Sequence, residues 1–247
     1  MLTEERKQRI IQYIDTNGGA SVPDLMDLLG TSESTIRRDL TELDRKGLIT
    51  KVHGGALSTS KKITADLDIS ERAAMNHDKK LLLAKYAASL ITDEDMVYLD
   101  AGTTTGLILE FLTSQKTIFV TNAISHARDL SARGYQVYLP GGLLKSRTEA
   151  LTGVDTCEYL SRFHFTKGFF GSNGITVKQG LTTPDVSEAK VKSAGMQQSM
   201  EKYLLCDSSK FDTVSSVTFA SFDTPMILTD IDIPSSYKKY KNIKIIH

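Results

Sequence analysis

Ile36, Leu40 and Leu43 recur at i, i+4 and i+7, a spacing that brings apolar side chains to one side only if the backbone is helical. Thr31 and Ser32 offer N-cap oxygens ahead of this helix, and Gly47 offers a left-handed stop behind it. One face is therefore core and the opposite face is free. The free side near the N-terminal end carries Ser32, Ser34, Thr35, Arg37 and Arg38. These hydroxyls and forked cations suit phosphate oxygens or the O6/N7 edge of guanine. A helix-turn-helix protein inserts this end of its second helix into the major groove.

The flanking pattern extends the reading. Ile10, Ile11 and Ile14 mark a first helix over about 3–15, broken at Asn17-Gly18-Gly19. A second helix has Pro23 in its first turn and Val22, Leu25, Leu28 and Leu29 on one face, and it stops at Gly30. After the third helix, Ile49, Val52 and Leu57 alternate inward while Lys51 and His53 point out, as in a wing lying beside a duplex. His53 lacks any Cys, His or carboxylate partner at ligand spacing, so no metal site is expected. Net charge does not decide the matter, because residues 1–57 hold eight Lys or Arg against nine Asp or Glu. Only the placement of the cations argues for nucleic acid over a solvated helix face.

The 247 residues leave room for one small and one medium domain, and 40% hydrophobic with 24% charged residues is ordinary for a globular chain with a real core. Equal numbers of acidic and basic residues give no reason to expect a membrane surface or polyanion partner. Cys157 and Cys206 stand far apart with no CxxC, which fits packed, reduced thiols in a cytoplasmic protein. The first twenty residues are charged instead of forming an apolar signal core, and no run reaches the length of a membrane span. Between Ala56 and about Arg72 the periodicity fades. The expected division is a domain over 1–57, a linker over 58–74 and a second domain over 75–247.

From Asp78 onward helical and strand-like segments alternate. Strands are expected at 96–99, 118–120, 137–139, 168–170, 203–205, 217–219 and 226–228, with helices containing Leu83 to Ile91 and over 105–112, 123–131 and 186–200. That order calls for a parallel sheet covered by helices, and such sheets bind ligands outside their carboxyl ends. The first of those ends is Asp100-Ala101-Gly102-Thr103-Thr104-Thr105. Gly102 permits close approach of the backbone, and three hydroxyls can donate to phosphate oxygens at a helix start. A plain helix cap fits the same residues, and the absence of GxxxxGK[ST] excludes a P-loop. Thr121-Asn122, Gly141-Gly142, Gly171 to Gly174 and Asp207 to Lys210 stand at the other expected strand ends and Glu188-Ala189-Lys190 on a helix; each alone reads as a turn residue or solvated charge, and it is their expected convergence at one sheet edge that makes them ligand candidates.

The phrases Glu5-Arg6, Ser34-Thr35-Ile36-Arg37-Arg38-Asp39-Leu40 and His53-Gly54-Gly55-Ala56 resemble the winged helix of the DeoR family of bacterial repressors. The resemblance covers nearly all of the chain and implies an effector domain similar in fold to ribose-5-phosphate isomerase. It implies that Asp100, Gly102, Thr103, Thr104 and Thr105 surround a phosphate with Lys210 as its cation. Asn122, Gly142, Asn173 and Glu188 would face sugar hydroxyls, and Arg147 or Lys190 would close the site. Gly180 to Asp185 and the Glu188 to Lys192 stretch look most like fructose-operon repressors, which makes fructose 1-phosphate the expected effector. Isomerases of this fold are similar in using a carboxylate cluster near residues 171–176; here Asn173 and Ile175 stand there, and an amide cannot act as the base.

Three classes compete: a phosphosugar-responsive DNA-binding repressor, an isomerase- or deaminase-like enzyme with an appended DNA-binding domain, and a redox or metal regulator. The repressor accounts for both halves. The enzyme leaves the amino-terminal motif idle, and the metal regulator needs ligands that five scattered histidines do not supply. The expectation is thus a non-enzymatic repressor without cofactor. Its partners would be double-stranded operator DNA and a phosphosugar, and it would assemble as a homodimer or tetramer because paired half-sites call for paired readers.

Overall fold

The computed structural model describes residues 3–17, 19–52, 54–58 and 69–247. The chain divides into two compact units, Met1–Lys62 and Ile63–His247.

The first unit runs α1 (Thr3–Asn17), β1 (Gly19–Ser21), α2 (Val22–Leu29), α3 (Glu33–Arg45), β2 (Ile49–Val52) and β3 (Gly55–Ser58). Ile10, Ile14, Val22, Leu25, Ile36, Leu40, Leu43, Ile49 and Ala56 form its core, so the i, i+4, i+7 stripe of α3 is the buried face. Leu28 departs from the expected face and turns outward at 46% exposure. Ser21 starts α2 with a reciprocal cap: its hydroxyl accepts from Asp24 N–H at 3.2 Å, and its own N–H donates to the Asp24 carboxylate at 3.0 Å. Gly30 ends α2 at φ 58°. The three strands pair antiparallel in the order β1-β3-β2. β1 is three residues long, too short to show alternation in sequence.

The second unit opens with α4 (Ile69–Ala74), inside the segment expected as linker, and α5 (His77–Ser89). It continues as β4 (Met96–Leu99), α6 (Thr103–Gly106) with a 3₁₀ turn Leu107–Phe111, β5 (Ile118–Thr121), α7 (Ile124–Ala132) and β6 (Gln136–Tyr138). Next come β7 (Leu143–Lys145), β8 (Ala150–Thr152), α8 (Val154–Leu160), β9 (Phe165–Gly171), β10 (Gly174–Thr176), β11 (Gly180–Thr183) and α9 (Val186–Gln197). The chain closes with β12 (Ser199–Leu205), a 3₁₀ turn Ser208–Lys210, β13 (Val217–Ala220), β14 (Met226–Thr229), a 3₁₀ turn Ser235–Tyr237 and β15 (Ile243–Ile245).

Seven strands form one parallel sheet in the order β15-β14-β12-β9-β4-β5-β6. Successive side chains go to opposite faces: Val97 and Leu99 pack with α5 and α7, while Tyr98 between them packs with α8 and α9. Both faces are thus covered, giving an α/β unit that follows the winged helix-turn-helix in the chain. Two expectations are corrected. Val217–Ala220 is not a member of the parallel sheet; it pairs antiparallel with β11 in a separate sheet, β10-β11-β13. The helix expected over 105–112 begins at Thr103 and tightens to 3₁₀ from Leu107.

Candidate functional site

The first candidate surface is the exposed side of α3. Arg37, Arg38, Thr41, Glu42, Arg45 and Lys51 line a shallow groove there. Arg37 is held by Glu33 one turn earlier, with N···O distances of 2.7 and 2.8 Å. Lys51 on β2 donates to the Thr41 hydroxyl at 2.6 Å, and its backbone N–H reaches Asp44 at 2.8 Å, which ties the wing to the helix. Ser32 occupies the N-cap position, yet its hydroxyl makes no cap bond and instead contacts the Ser34 and Thr35 hydroxyls at 3.1 and 3.0 Å. The groove's single acid, Glu42, is engaged by Lys7 at 2.8 Å and Lys46 at 3.0 Å. Those two ammonium groups push its carboxyl down to about 2, so it stays charged but paired. Thr41 and Arg45 were not anticipated, although they follow Arg37 at i+4 and i+8 on the same face. His53 lies outside the described residues.

Asp39, one residue from the cations, does not belong to this surface. It is 2% exposed and accepts from Arg6 of α1 at 2.6 and 3.2 Å. Part of the Arg37-Arg38-Asp39 phrase is thus a strut between helices.

The second candidate site lies where the strand order reverses, between β4 and β9. Neighbouring chain segments part there, the position at the carboxyl ends where open α/β sheets take up ligands. Asp100 follows β4 and is fully buried; its carboxylate accepts from the buried Lys192 ammonium and from Gly171 N–H at 3.2 Å, and Lys192 also reaches Gly171 O at 3.3 Å. Burial pushes the Asp100 carboxyl above its ordinary range, with Lys192 pulling the other way. Lys192 was missed. It shares a helix face with Glu188 at i+4, a spacing visible in the sequence, whereas Lys190 at i+2 points into a different groove lined by Cys157, Val186 and Ser193.

The remaining expected residues separate into groups. Thr103 and Thr104 are half-buried at the loop. Thr105 is fully buried and spends its hydroxyl on Asp100 O and Gly102 O at 2.7 and 2.9 Å, so it acts as a cap. Gly102 has an extended backbone, and a Cβ would meet the Thr105 hydroxyl at 3.1 Å. Asn122 was expected to face a sugar; instead its carbonyl accepts from Tyr98 at 3.1 Å and Ala101 N–H at 2.9 Å, and its amide donates to Leu151 O at 3.2 Å. It splints the loop. Gly142, at φ +146°, would place a Cβ 2.2 Å from the Thr156 hydroxyl, so it is a packing glycine.

Glu188 is buried and accepts from Thr148 at 2.8 Å and Lys145 at 3.0 Å. Asn173 accepts from Thr183 at 3.3 Å. Arg147 is exposed, and Lys210 is half-buried in the turn after β12. One further residue was missed: His126 is buried with Nδ1 unpartnered among the described residues, and a Cβ on Gly106 would lie 2.8 Å from its Nε2. Burial holds this imidazole down to about 4, so it is neutral at ordinary pH.

Among the described residues no cluster of His, Cys, Asp or Glu could hold a metal, and no helix is long and apolar enough to cross a membrane. Cys206 is buried with its thiol pushed up by burial, and Cys157 is half-buried.

Comparison with known proteins matches residues 6–62 to the DeoR-like helix-turn-helix domain and residues 75–230 to the DeoR C terminal sensor domain. A Bacillus subtilis relative named uncharacterized HTH-type transcriptional regulator FruR is 40% identical, covering 94% of this chain and 93% of its own. The lactose phosphotransferase system repressor of Staphylococcus epidermidis is 35% identical, covering 92% of this chain and 91% of its own. Among solved structures, ribose 5-phosphate isomerase A from Neisseria gonorrhoeae is 13% identical with a TM-score of 0.40, covering 56% of this chain and 54% of that one. The winged helix with its cationic α3 face and most of the parallel-sheet unit that follows it in the chain thus fall within two successive family matches, and the chain belongs to the DeoR family of DNA-binding transcriptional regulators, not to an enzyme family.

Proposed function

We propose that this regulator represses a sugar-utilisation operon and is released from its operator by a phosphorylated sugar, with fructose 1-phosphate as the effector. On the DNA side Ser32, Ser34, Thr35, Arg37, Arg38 and Lys51 make the contacts, the arginines toward bases and Lys51 toward phosphate. In the sensor unit Thr103 and Thr104 receive the phosphate with Lys210 nearby, and Asn173 and Glu188 face the sugar.

The observation that carries the reading is the polar cluster at the strand-order reversal, where the half-buried Thr103 and Thr104 follow the buried Asp100–Lys192 pair at the start of α6. Glu188 supports binding over turnover, because its carboxylate is already engaged by Thr148 and Lys145 and is not poised as a free base. The similarity to a lactose phosphotransferase system repressor supports a sugar operon, and the choice of a fructose phosphate rests on the resemblance of Asp100 to Thr105, Gly180 to Asp185 and Glu188 to Lys192 to fructose-operon repressors. A homodimer or tetramer joined through the sensor unit would present paired winged helices to a repeated half-site. If sugar weakens DNA binding, DNA must weaken sugar binding by the same factor.

The test is a thermal-shift and mobility-shift panel on the full chain with fructose 1-phosphate, other phosphosugars and free fructose. A ligand at 100 times its dissociation constant adds about 2.7 kcal/mol, enough for a clear rise in Tm. Fructose 1-phosphate should raise Tm and release operator while fructose does neither. A response to free fructose equal to that of its phosphate would overturn the phosphate assignment.

A further inference from the structure

Lys80 belongs to the first turn of α5 and is 4% exposed. Its ammonium donates to the carbonyl oxygen of Arg72 in α4, and it lies 3.3 Å from the Thr103 hydroxyl. A buried ammonium is ordinarily matched by a carboxylate in contact. No carboxylate among the described residues is within ion-pair distance of this one. Asp207 acts on it only through space, while Lys210 and Arg72 add positive charge. Burial and those two cations hold the Lys80 ammonium below its ordinary range. The Arg72 guanidinium also has a buried Nε with no hydrogen-bond partner among the described residues. Lys80 therefore stands at the Thr103 hydroxyl with Arg72 and Lys210 near enough to add to its positive field, and Lys80 and Arg72 both bear donors that an oxyanion could satisfy.

We propose that Lys80 and Arg72 form a two-cation clamp on the effector's phosphate, and that α4 thereby reports sugar binding to the winged helix. The proposal rests on the sugar-phosphate reading of the Thr103–Thr104 cluster and adds two ligands and a route to it. In the structure, α4 is held to α5 through its backbone, by the Lys80 bond to Arg72 O. A phosphate on the Thr103 hydroxyl competes for that ammonium and offers an acceptor to Arg72 Nε. The helix is then held through its side chain instead. These are two discrete attachments of one short element, the kind of pair a ligand can bias. α4 is the first described helix along the chain after the winged helix, and on that ground it is the proposed reporting element.

The experiment uses the full chain with fructose 1-phosphate and inorganic phosphate as probes, and the variants Lys80→Met, Lys80→Arg and Arg72→Ala. Lys85→Ala, an exposed change on the same helix, is the control. Lys80→Met should lower affinity for fructose 1-phosphate about 10- to 100-fold and abolish competition by inorganic phosphate, as expected for loss of a charged hydrogen bond. Lys80→Arg should restore most of it, and Lys85→Ala should match the parent. Arg72→Ala keeps Lys80 and the hydroxyls, so it should still be saturable, yet its operator affinity should no longer respond to the sugar. Hydrogen exchange over 69–74 should slow on sugar binding in the parent and stay unchanged in Arg72→Ala. A saturated Arg72→Ala protein that responds like the parent would overturn the clamp while leaving the sugar-phosphate reading intact. A parent protein that binds no phosphosugar would instead remove that reading, and the clamp with it.

Discussion

The winged helix and the sensor unit handle their polar groups in opposite ways. In the first, Arg37, Arg38, Thr41, Arg45 and Lys51 stand exposed over an apolar core, with the buried Asp39 held by Arg6 as the exception on α3. In the second, Asp100, Asn122, His126, Glu188 and Lys192 are buried, and most hold one another or a loop backbone in place. On α3, therefore, recognition and stability use different side chains and can be changed separately. At the sensor cluster the same side chains serve both, so nearly every change there is also a change in folding free energy.

The largest break in that contrast should come from Lys192→Met. It leaves Asp100 buried beside an apolar chain, and removal of one partner of a buried pair costs about 3–5 kcal/mol. Urea unfolding should show this, and Asp100→Asn in the same background should return much of it. A Lys192→Met protein as stable as the parent would mean that the cluster is wetter and more tolerant than its burial indicates.

A smaller effect should follow from pH. His126 has its pKa lowered to about 4 in the folded protein, against 6.5 for an ordinary imidazole. The unfolded chain thus takes up a proton first. Stability contributed by the neutral ring is fully present above pH 6.5 and declines as pH falls toward 4, by about 3 kcal/mol in total. His126→Asn should flatten this part of the pH profile, whatever it does to stability at pH 7.

The smallest effects on stability, and the most informative for function, belong to α3. Arg37→Ala and Arg38→Ala should each change folding by no more than about 0.5 kcal/mol, as exposed substitutions do. Either should weaken operator binding by about 1–3 kcal/mol if it reads a guanine. Arg38 has no carboxylate holding it among the described residues, whereas Arg37 must leave Glu33, so Arg38→Ala should have the greater effect. Mobility shifts across a salt series would separate base contacts, which relax sequence preference, from phosphate contacts, which lower the salt slope by about one.

The same contrast explains what could be read from sequence. An exposed face on a regular element follows local periodicity, so the position of the free face of α3 was legible even though Thr41 and Arg45 were not anticipated on it, while the turn after β4 was placed but not the roles of Asp100 and Thr105 within it. Asp39 and Glu33 look alike in sequence as acids beside arginines; only the arrival of Arg6 from α1 makes one a buried strut and leaves the other on the surface. Asn122 could not be told from a sugar ligand, because its three partners come from β4, the loop after it and β8. Lys192 needed only the helical step from Glu188. Lys80 carried no local signal at all, since its neighbours Arg72 and Thr103 are fixed by tertiary packing.

Gly55 gives the clearest lesson about how this chain would look in a mutational scan. A Cβ there would sit 2.2 Å from the Ala20 carbonyl oxygen, and the preceding Gly54 turns the hairpin at φ +83°. Both glycines adjoin the wing, so a selection for repression would score them as intolerant and invite their assignment to the DNA interface. Their intolerance would instead record the fit of one strand over another at Gly55 and a left-handed backbone at Gly54. Counting only the positions where lost repression leaves the melting temperature unchanged would remove these two from the footprint and keep Arg38.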